Sequence, residues 1–351
     1  MFFFICGLIS REIKGQQKAE LVVPKGSLMI SAGLNERGDL LSLSASDKLK
    51  VWNLDSMKLR YFQDFKTQGS YNAHFSPDGK YIIIPNAKGF TTVLDAASGN
   101  LLYTLDGWIQ DILKKEVSPD GRYIVTTKPF EKWAKIWELG TGKLVNTLEQ
   151  EEMISYACYN NKGTRVVTCD TKGNLQLWEA SSATIMFSRK TNDRHIFCAF
   201  FSPDDKYVAT ASYDGTSTVI ETGTGKLVSV LTGHKSLVAD LQFSNDNKFI
   251  VTASNDKNAA IWNVADGSKK VDLVGHSKEV LTCRFTENGQ SVLTSSQDGT
   301  MKMWSAENGM IIKSISFNGA YGTYSIYNDK LILCNSDRIN IYRYPSLEED
   351  Y

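Results

Sequence analysis

The chain has 351 residues, 42% of them hydrophobic and 22% charged, with 39 Lys and Arg against 39 Asp and Glu. That composition supplies ample apolar material for a packed core. Zero net charge argues against a protein whose main task is to coat nucleic acid or an anionic membrane, although balanced totals leave room for a local patch.

The chain opens on "MFFFICGLIS", which is apolar but has no Lys or Arg ahead of the hydrophobic run and no small-x-small cleavage site. Such a run is long enough for a signal-peptide core and too short to span a bilayer. We read residues 1–18 as an N-terminal extension and expect a cytoplasmic protein without a membrane span, export being the alternative. The six cysteines (Cys6, Cys158, Cys169, Cys198, Cys283 and Cys334) form no Cys-x-x-Cys pair, and five fall in apolar strand-like runs. Small buried thiols in a reducing compartment explain them better than a disulfide framework or a metal site.

From residue 19 to residue 345 the sequence repeats. A four-residue turn reads "NERG" at 35–38, "SPDG" at 76–79 and 118–121, "NNKG" at 160–163 and "SPDD" at 202–205. It continues as "SNDN" at 244–247, "TENG" at 286–289 and "YNDK" at 327–330, at intervals of 41 or 42 residues. Proline after serine presets the turn, Asp or Asn bonds back to its own backbone, and glycine supplies positive φ. Apolar runs such as "VADLQF" and "FIVTAS" flank each turn. A third run then carries an aspartate six residues ahead of a tryptophan, as in "NDKNAAIWN" at 255–263 and "QDGTMKMWS" at 297–305. "YDGTSTVIE" at 213–221 puts Ile220 in the tryptophan position, and "SDKLKVWN" at 46–53 is one residue shorter. A second turn and a fourth run complete the unit. Four short hairpin-linked strands per repeat predict an all-β propeller of four-stranded antiparallel blades.

Eight turns imply eight blades, but only seven fourth strands follow them. "AELVVP" at 19–24 fits as the outer strand of blade eight, closing the ring and leaving no open edge. Eight blades closed by an N-terminal strand is therefore the expectation, with seven blades plus a partial repeat as the alternative. Residues 346–351 read as an acidic C-terminal tail.

Gly233-His234 and Gly275-His276, followed by Asp256 and Trp262 or by Asp298 and Trp304, resemble the GH…D…W pattern of WD-repeat propellers. The pattern is specific in blades six and seven and degenerate elsewhere: blade two has Lys88 and Leu94 at the Asp and Trp positions, and blade four has Lys172. The resemblance implies that His234, Asp256 and Trp262, and likewise His276, Asp298 and Trp304, bond through a strand Ser or Thr into structural networks. It also implies that Trp52, Trp137, Trp178, Trp262 and Trp304 lie between blades, and that the loops entering each blade share a face with the turns between its second and third strands.

Other motifs have bland explanations. "GTGKL" at 140–144 and 223–227 lacks the first glycine and the final Ser or Thr of a phosphate-binding loop, so both copies read as hairpin turns. His74 and His195 have no nucleophile at an interpretable spacing, and no Cys/His cluster suggests zinc. No catalytic, metal or cofactor-binding residue is assigned, and no cofactor is expected.

Blade three departs from the pattern. Gly107-Trp108 occupies the Gly-His position, and the connection "KPFEKWAKIW" at 128–137 is one residue longer than its counterparts. If these loops share a face, Trp108, Phe130 and Trp133 cluster there beside Pro85 and Phe90 of blade two, as a partner-binding hot spot would. The competing reading tucks Trp108 and Trp133 inward to replace the missing His–Asp network. The expected function is a non-catalytic scaffold presenting loops to partner proteins or peptides. The alternatives are a propeller enzyme with a site at the central channel, or a phosphopeptide- or nucleic-acid-binding propeller, nucleic acid being disfavoured by the charge balance.

Overall fold

The computed structural model describes residues 21–22, 29–35, 38–44, 48–53, 56, 58–64, 73–107, 115–316, 323–327, 330–334, 338–343 and 348–349. Among the described residues the secondary structure is strands and turns, with no helix. Antiparallel four-stranded meanders recur over residues 29–64, 74–106, 154–190, 196–231, 238–273 and 280–316. Residues 123–149 form a three-stranded sheet extended by an isolated bridge from Val117 to Ile124. This repeating all-β architecture is consistent with a propeller, and its sheets are called blades below. The chain divides into two compact units, one drawn from residues 1–88, 92–103 and 317–351, the other from residues 89–91 and 104–316.

Within the second unit, burial falls from the first strand of a blade to the last. Ile154–Tyr159 is buried at every position, whereas Thr184–Lys190 is exposed or half-buried throughout. The sequence explains the gradient. First strands such as "ISYACY" and "IFCAFF" are apolar on both faces and pack against the first strands of neighbouring blades, so a single cluster joins Tyr156, Cys198, Val219 and Leu241. Cys158, Cys169, Cys198 and Cys283 are buried free thiols whose pKa values burial pushes up.

Two local devices repeat. In the turn between first and second strands, Ser76 Oγ donates to Asp78 Oδ1 (2.6 Å) and accepts from the Tyr81 N–H (3.0 Å). "SPDD" and "SNDN" lack the glycine at the fourth position, and there Asp205 (φ 62°) and Asn247 (φ 61°) adopt the left-handed conformation, which short polar side chains tolerate. Between third and fourth strands, the register shifts immediately before Trp52, Trp137, Trp178, Ile220, Trp262 and Trp304. A bulge at this point re-aims the side chain that follows it.

In the first unit, Thr323–Tyr327, Lys330–Cys334 and Arg338–Arg343 pair in order. Leu21–Val22 adds to Arg338–Arg343 with Leu21 opposite Ile339 and Val22 opposite Arg338. Glu348–Glu349 also pairs with this strand, at Tyr342 and Arg343. The backbone N–H and C=O groups of these two glutamates find partners on the strand edge.

Candidate functional site

The polar residues of blade seven form a continuous chain of hydrogen bonds. Trp304 Nε1 donates to Thr294 Oγ1 (2.8 Å), which lies 2.7 Å from His276 Nε2, and His276 Nδ1 lies 2.9 Å from Asp298 Oδ2. Asp298 also accepts the N–H groups of Ser277 and Thr300. One proton arrangement satisfies every member: Thr294 donates to Nε2, and Nδ1–H donates to the carboxylate. Burial holds the His276 pKa below its ordinary value against the pull of Asp298, as a neutral imidazole in these roles requires. Burial would raise Asp298, but hydrogen bonds from Thr300, Ser277 and His276 outweigh it and hold the pKa at about 2.

Blade six repeats this geometry. Trp262 Nε1 lies 2.8 Å from Thr252 Oγ1, Thr252 lies 2.8 Å from His234 Nε2, and His234 Nδ1 lies 2.9 Å from Asp256 Oδ2. Asp256 is likewise held at about 2, where bonds from His234 and the Lys235 N–H overcome its burial. Glycine precedes both histidines for a steric reason. Gly233 (φ 148°) and Gly275 (φ 154°) cross the edge of the indole, and an added Cβ would stand 3.2 Å from Trp262 Cη2 or 3.3 Å from Trp304 Cη2.

Blades four and five carry substitutes that the Gly-His pattern does not reveal. Gln150 stands at the histidine position of blade four, where Thr168 Oγ1 donates to its Oε1 and Trp178 Nε1 donates to Thr168 (2.8 Å). Asp170, not Lys172, caps the turn, accepting the N–H groups of Lys172 (2.8 Å) and Asn174 (2.9 Å). In blade five Asn192 takes the histidine position and accepts from Thr210 Oγ1 (2.7 Å). The readable signal was an amide side chain recurring 42 residues before the next blade's equivalent residue.

Blade three has another arrangement. Trp137 Nε1 donates to Thr126 Oγ1 (2.9 Å), which donates to the Asp106 carbonyl (2.8 Å). The Asp106 carboxylate receives Lys128 Nζ at 2.8 Å and Lys135 Nζ at 2.6 Å. Partial burial would raise its pKa, but these two bonds hold it below the ordinary range. Lys128 lies over the Phe90 ring (5.2 Å) and Lys135 over the Trp133 ring (3.9 Å), so Phe90, Asp106 and Trp133 are joined through cations.

Phe130 stands at the tip of the lengthened connection. It is 86% exposed and has φ 68°. The turn is pinned on both sides: Glu131 N donates to Lys128 O (3.1 Å), while Glu131 O and Lys132 O accept from the N–H groups of Ile154 and Gln150, each at 2.9 Å. Phe90 is 37% exposed and Trp133 half-buried. Pro85 requires a correction: it closes the strand Tyr81–Pro85 and is buried, because the strand runs one step further than the loop boundary expected from sequence. Trp108 lies outside the described residues. Among the described residues, no group of three or more His, Cys, Asp and Glu is placed to hold a metal ion.

Comparison with known proteins gives three matches to a family model described as WD domain, G-beta repeat, at residues 186–219, 225–263 and 267–305. The chain is 27% identical over 206 residues to U3 small nucleolar RNA-associated protein 12 of Saccharomyces cerevisiae, covering 58% of this chain and 19% of that protein. It is 26% identical over 192 residues to WD repeat-containing protein 3 of Homo sapiens, covering 55% and 17%. Autophagy-related protein 16 of Arabidopsis thaliana is 23% identical over 240 residues, covering 55% and 47%. The chain therefore spans less than half the length of each of these relatives. Among solved structures, the crystal structure of the computationally designed Ika8 protein superimposes with a TM-score of 0.76 at 19% identity, covering 90% of this chain and 96% of that one.

Proposed function

This chain belongs to the WD-repeat family, and from that premise we propose that it acts as a non-catalytic scaffold whose blade-three loop contacts a partner protein or peptide. The observation that carries this reading is Phe130. A bulky aromatic at positive φ is a backbone outlier, and such strain persists where the surrounding structure holds it for a purpose. Here the side chain it orients is almost wholly in solvent, on a turn already fixed by three backbone hydrogen bonds. A rigid exposed aromatic two residues from Lys128, which lies over Phe90, and three from Trp133 loses little entropy on binding.

Phe130→Ala is expected to leave the melting temperature unchanged and to weaken partner binding by about 2 kcal/mol or more. Phe130→Gly should raise stability slightly, by up to about 1 kcal/mol, since glycine adopts positive φ without strain. Affinity capture with full chain and variant, paired with thermal melts, separates the possibilities. Unchanged capture by a Phe130→Ala/Trp133→Ala protein of normal stability would sink the contact surface.

Residues 19–345 are proposed to form a single domain, an eight-bladed ring whose last blade takes its outer strand from the N-terminal end. The pairing of Leu21–Val22 with Arg338–Arg343 supports this closure. Deleting residues 1–26 should then expose the edge of blade eight and cost soluble, cooperatively folded protein. A truncated chain that melts like the full one argues for the seven-blade alternative. Four buried free thiols support placement in a reducing compartment, the cytoplasm in this proposal. Among the described residues, no helix is long and apolar enough to cross a membrane.

A further inference from the structure

Blade five holds an imidazole where its neighbours hold other groups. Four successive blades repeat one backbone bond, from the residue after the second strand to the residue ahead of the first. Thr171 N–H donates to Met153 O (3.1 Å), Tyr213 to His195 (3.0 Å), Asn255 to Leu237 (2.9 Å) and Gln297 to Glu279 (3.0 Å). Of these four acceptor residues His195 alone is a histidine, the side chain whose ordinary pKa lies nearest neutral.

The ring is held in one pose. Tyr213 stacks on it with centroids 4.7 Å apart and planes at 12°, and Phe197 braces Tyr213 edge-on at 6.1 Å. His195 O accepts Ser212 Oγ (3.2 Å) as well as the Tyr213 N–H. In this pose Nε2 is buried and, among the described residues, meets no hydrogen-bond partner. A neutral ring accommodates that by keeping a lone pair on Nε2 and its proton on Nδ1. The cation carries N–H on both nitrogens, and a buried charged donor without an acceptor costs more than an aromatic stack supplies.

Surrounding charge is mixed. The turn of blade four brings Asp170 and Lys172, and Glu151 and Glu152 precede Met153 in the loop entering that blade. Asp193 and Arg194 flank the ring on its own loop, Asp214 follows Tyr213, and Lys235 and Asp256 stand behind the blade-five turn. Burial holds the His195 pKa below its ordinary value against the pull of Asp170.

We propose that the His195–Tyr213 stack is an acid-sensitive latch: the uncharged ring closes it near neutral pH, and protonation expels the ring and frees residues 193–195 from the blade-five turn. Fixed points bound the moving segment. Asn192 stays tied to Thr210 (2.7 Å) and Thr216 (2.9 Å), and Ile196 is fully buried, so the opening is local. It breaks the bond from Asp193 N–H to Asp214 Oδ2 (2.8 Å) and uncovers Tyr213, 44% exposed when closed, together with half-buried Phe197. The sign follows from linkage. A freed imidazole returns to its ordinary pKa of about 6.5, above that of the closed ring, so the open form binds more protons. Opening is therefore favoured as pH falls below about 6.5, by up to about tenfold for each pH unit, until the closed ring itself is protonated.

Two measurements on the full chain test this. In isotope-labelled protein the His195 ring resonance, identified by its loss in His195→Gln, should titrate below the ordinary histidine value. Hydrogen exchange at the Tyr213 N–H, corrected for its intrinsic pH dependence, should lose protection by up to about tenfold per pH unit between about pH 6.5 and 5. The Thr171 N–H, held by Met153 in the equivalent way, should keep its protection over that range. His195→Phe can stack but takes up no proton, so its Tyr213 N–H should stay at the neutral level of protection throughout. A His195 titration at or above the ordinary value, equal acid sensitivity in His195→Phe and wild type, or parallel loosening at Thr171 would each overturn the latch.

Discussion

Replacing Arg284 with alanine is expected to destabilise the protein by about 3–5 kcal/mol, because it strands a buried charge. Asp240, on the first strand of blade six, is 0% exposed, and Arg284 Nη1 reaches its Oδ2 from the first strand of blade seven at 2.6 Å. The same carboxylate accepts the N–H of Cys283 (3.0 Å) at Oδ2 and of Leu241 (2.9 Å) at Oδ1. Burial pushes the Asp240 pKa up, and Arg284 with the backbone N–H groups pulls it back. Without the guanidinium, Asp240 must take up a proton to remain inside. Its folded pKa then lies further above the unfolded one, so the native state binds more protons than the unfolded chain between the two values. Stability therefore falls as pH rises through that window. Urea midpoints for Arg284→Ala should be higher at about pH 5 than at about pH 7.5, and Asp240→Asn in the same chain should restore part of the loss. A midpoint independent of pH, with no recovery in the double variant, would show that the pair is not a buried ion pair.

The legible parts of the sequence were those with a fixed spacing. Turns recurring every 41 or 42 residues marked the hairpins, and the Gly-His, Asp and Trp triplets marked residues that stand together in blades six and seven. What escaped was chemistry carried by a different residue type or by a neighbouring blade. Gln150 and Asn192 accept from a threonine as the imidazoles do, but an amide in a loop carries no motif. Asp240 sits in "VADLQF", which reads as an apolar strand, and its partner is 44 residues away on the next sheet. The Lys128–Asp106–Lys135 clamp joins a blade's last strand to the following blade, a contact no single repeat contains. Sequence did single out the blade-three connection, because its extra residue broke the period; it could not foresee that Phe130 would take positive φ.

Trp304→Ala should cost about 3–5 kcal/mol, since it both empties a large core volume and removes the donor to Thr294. Trp304 is 0% exposed and packs among Val251, Ile261 and Val292. Blade five shows what replacing the indole requires. There Ile220 fills the buried position, and Thr210 Oγ1, deprived of an indole N–H, accepts the N–H of Thr218 instead (3.1 Å) while still donating to Asn192. In blade seven no such rearrangement accompanies the truncation, so the Thr294–His276–Asp298 chain loses its first donor. Trp304→Phe should recover most of the packing but not that bond, leaving a deficit of about 1 kcal/mol. Asp298→Ala should cost about 1–3 kcal/mol by stranding the His276 Nδ1–H, whereas exposed Lys172→Ala and Lys88→Ala should stay within about 0.5 kcal/mol. The pH dependence has the opposite sign to that of the Arg284 variant. With a folded pKa of about 2 against an ordinary carboxylate value near 4, Asp298 contributes stability that is complete above about pH 4 and is lost as pH falls through about 2. Acid titration of wild type against Asp298→Ala should therefore show their stabilities converging below that window. Convergence at neutral pH, or a Trp304→Ala loss no larger than that of Lys172→Ala, would mean that the hydrogen-bonded chain in blade seven contributes nothing to holding the blades together.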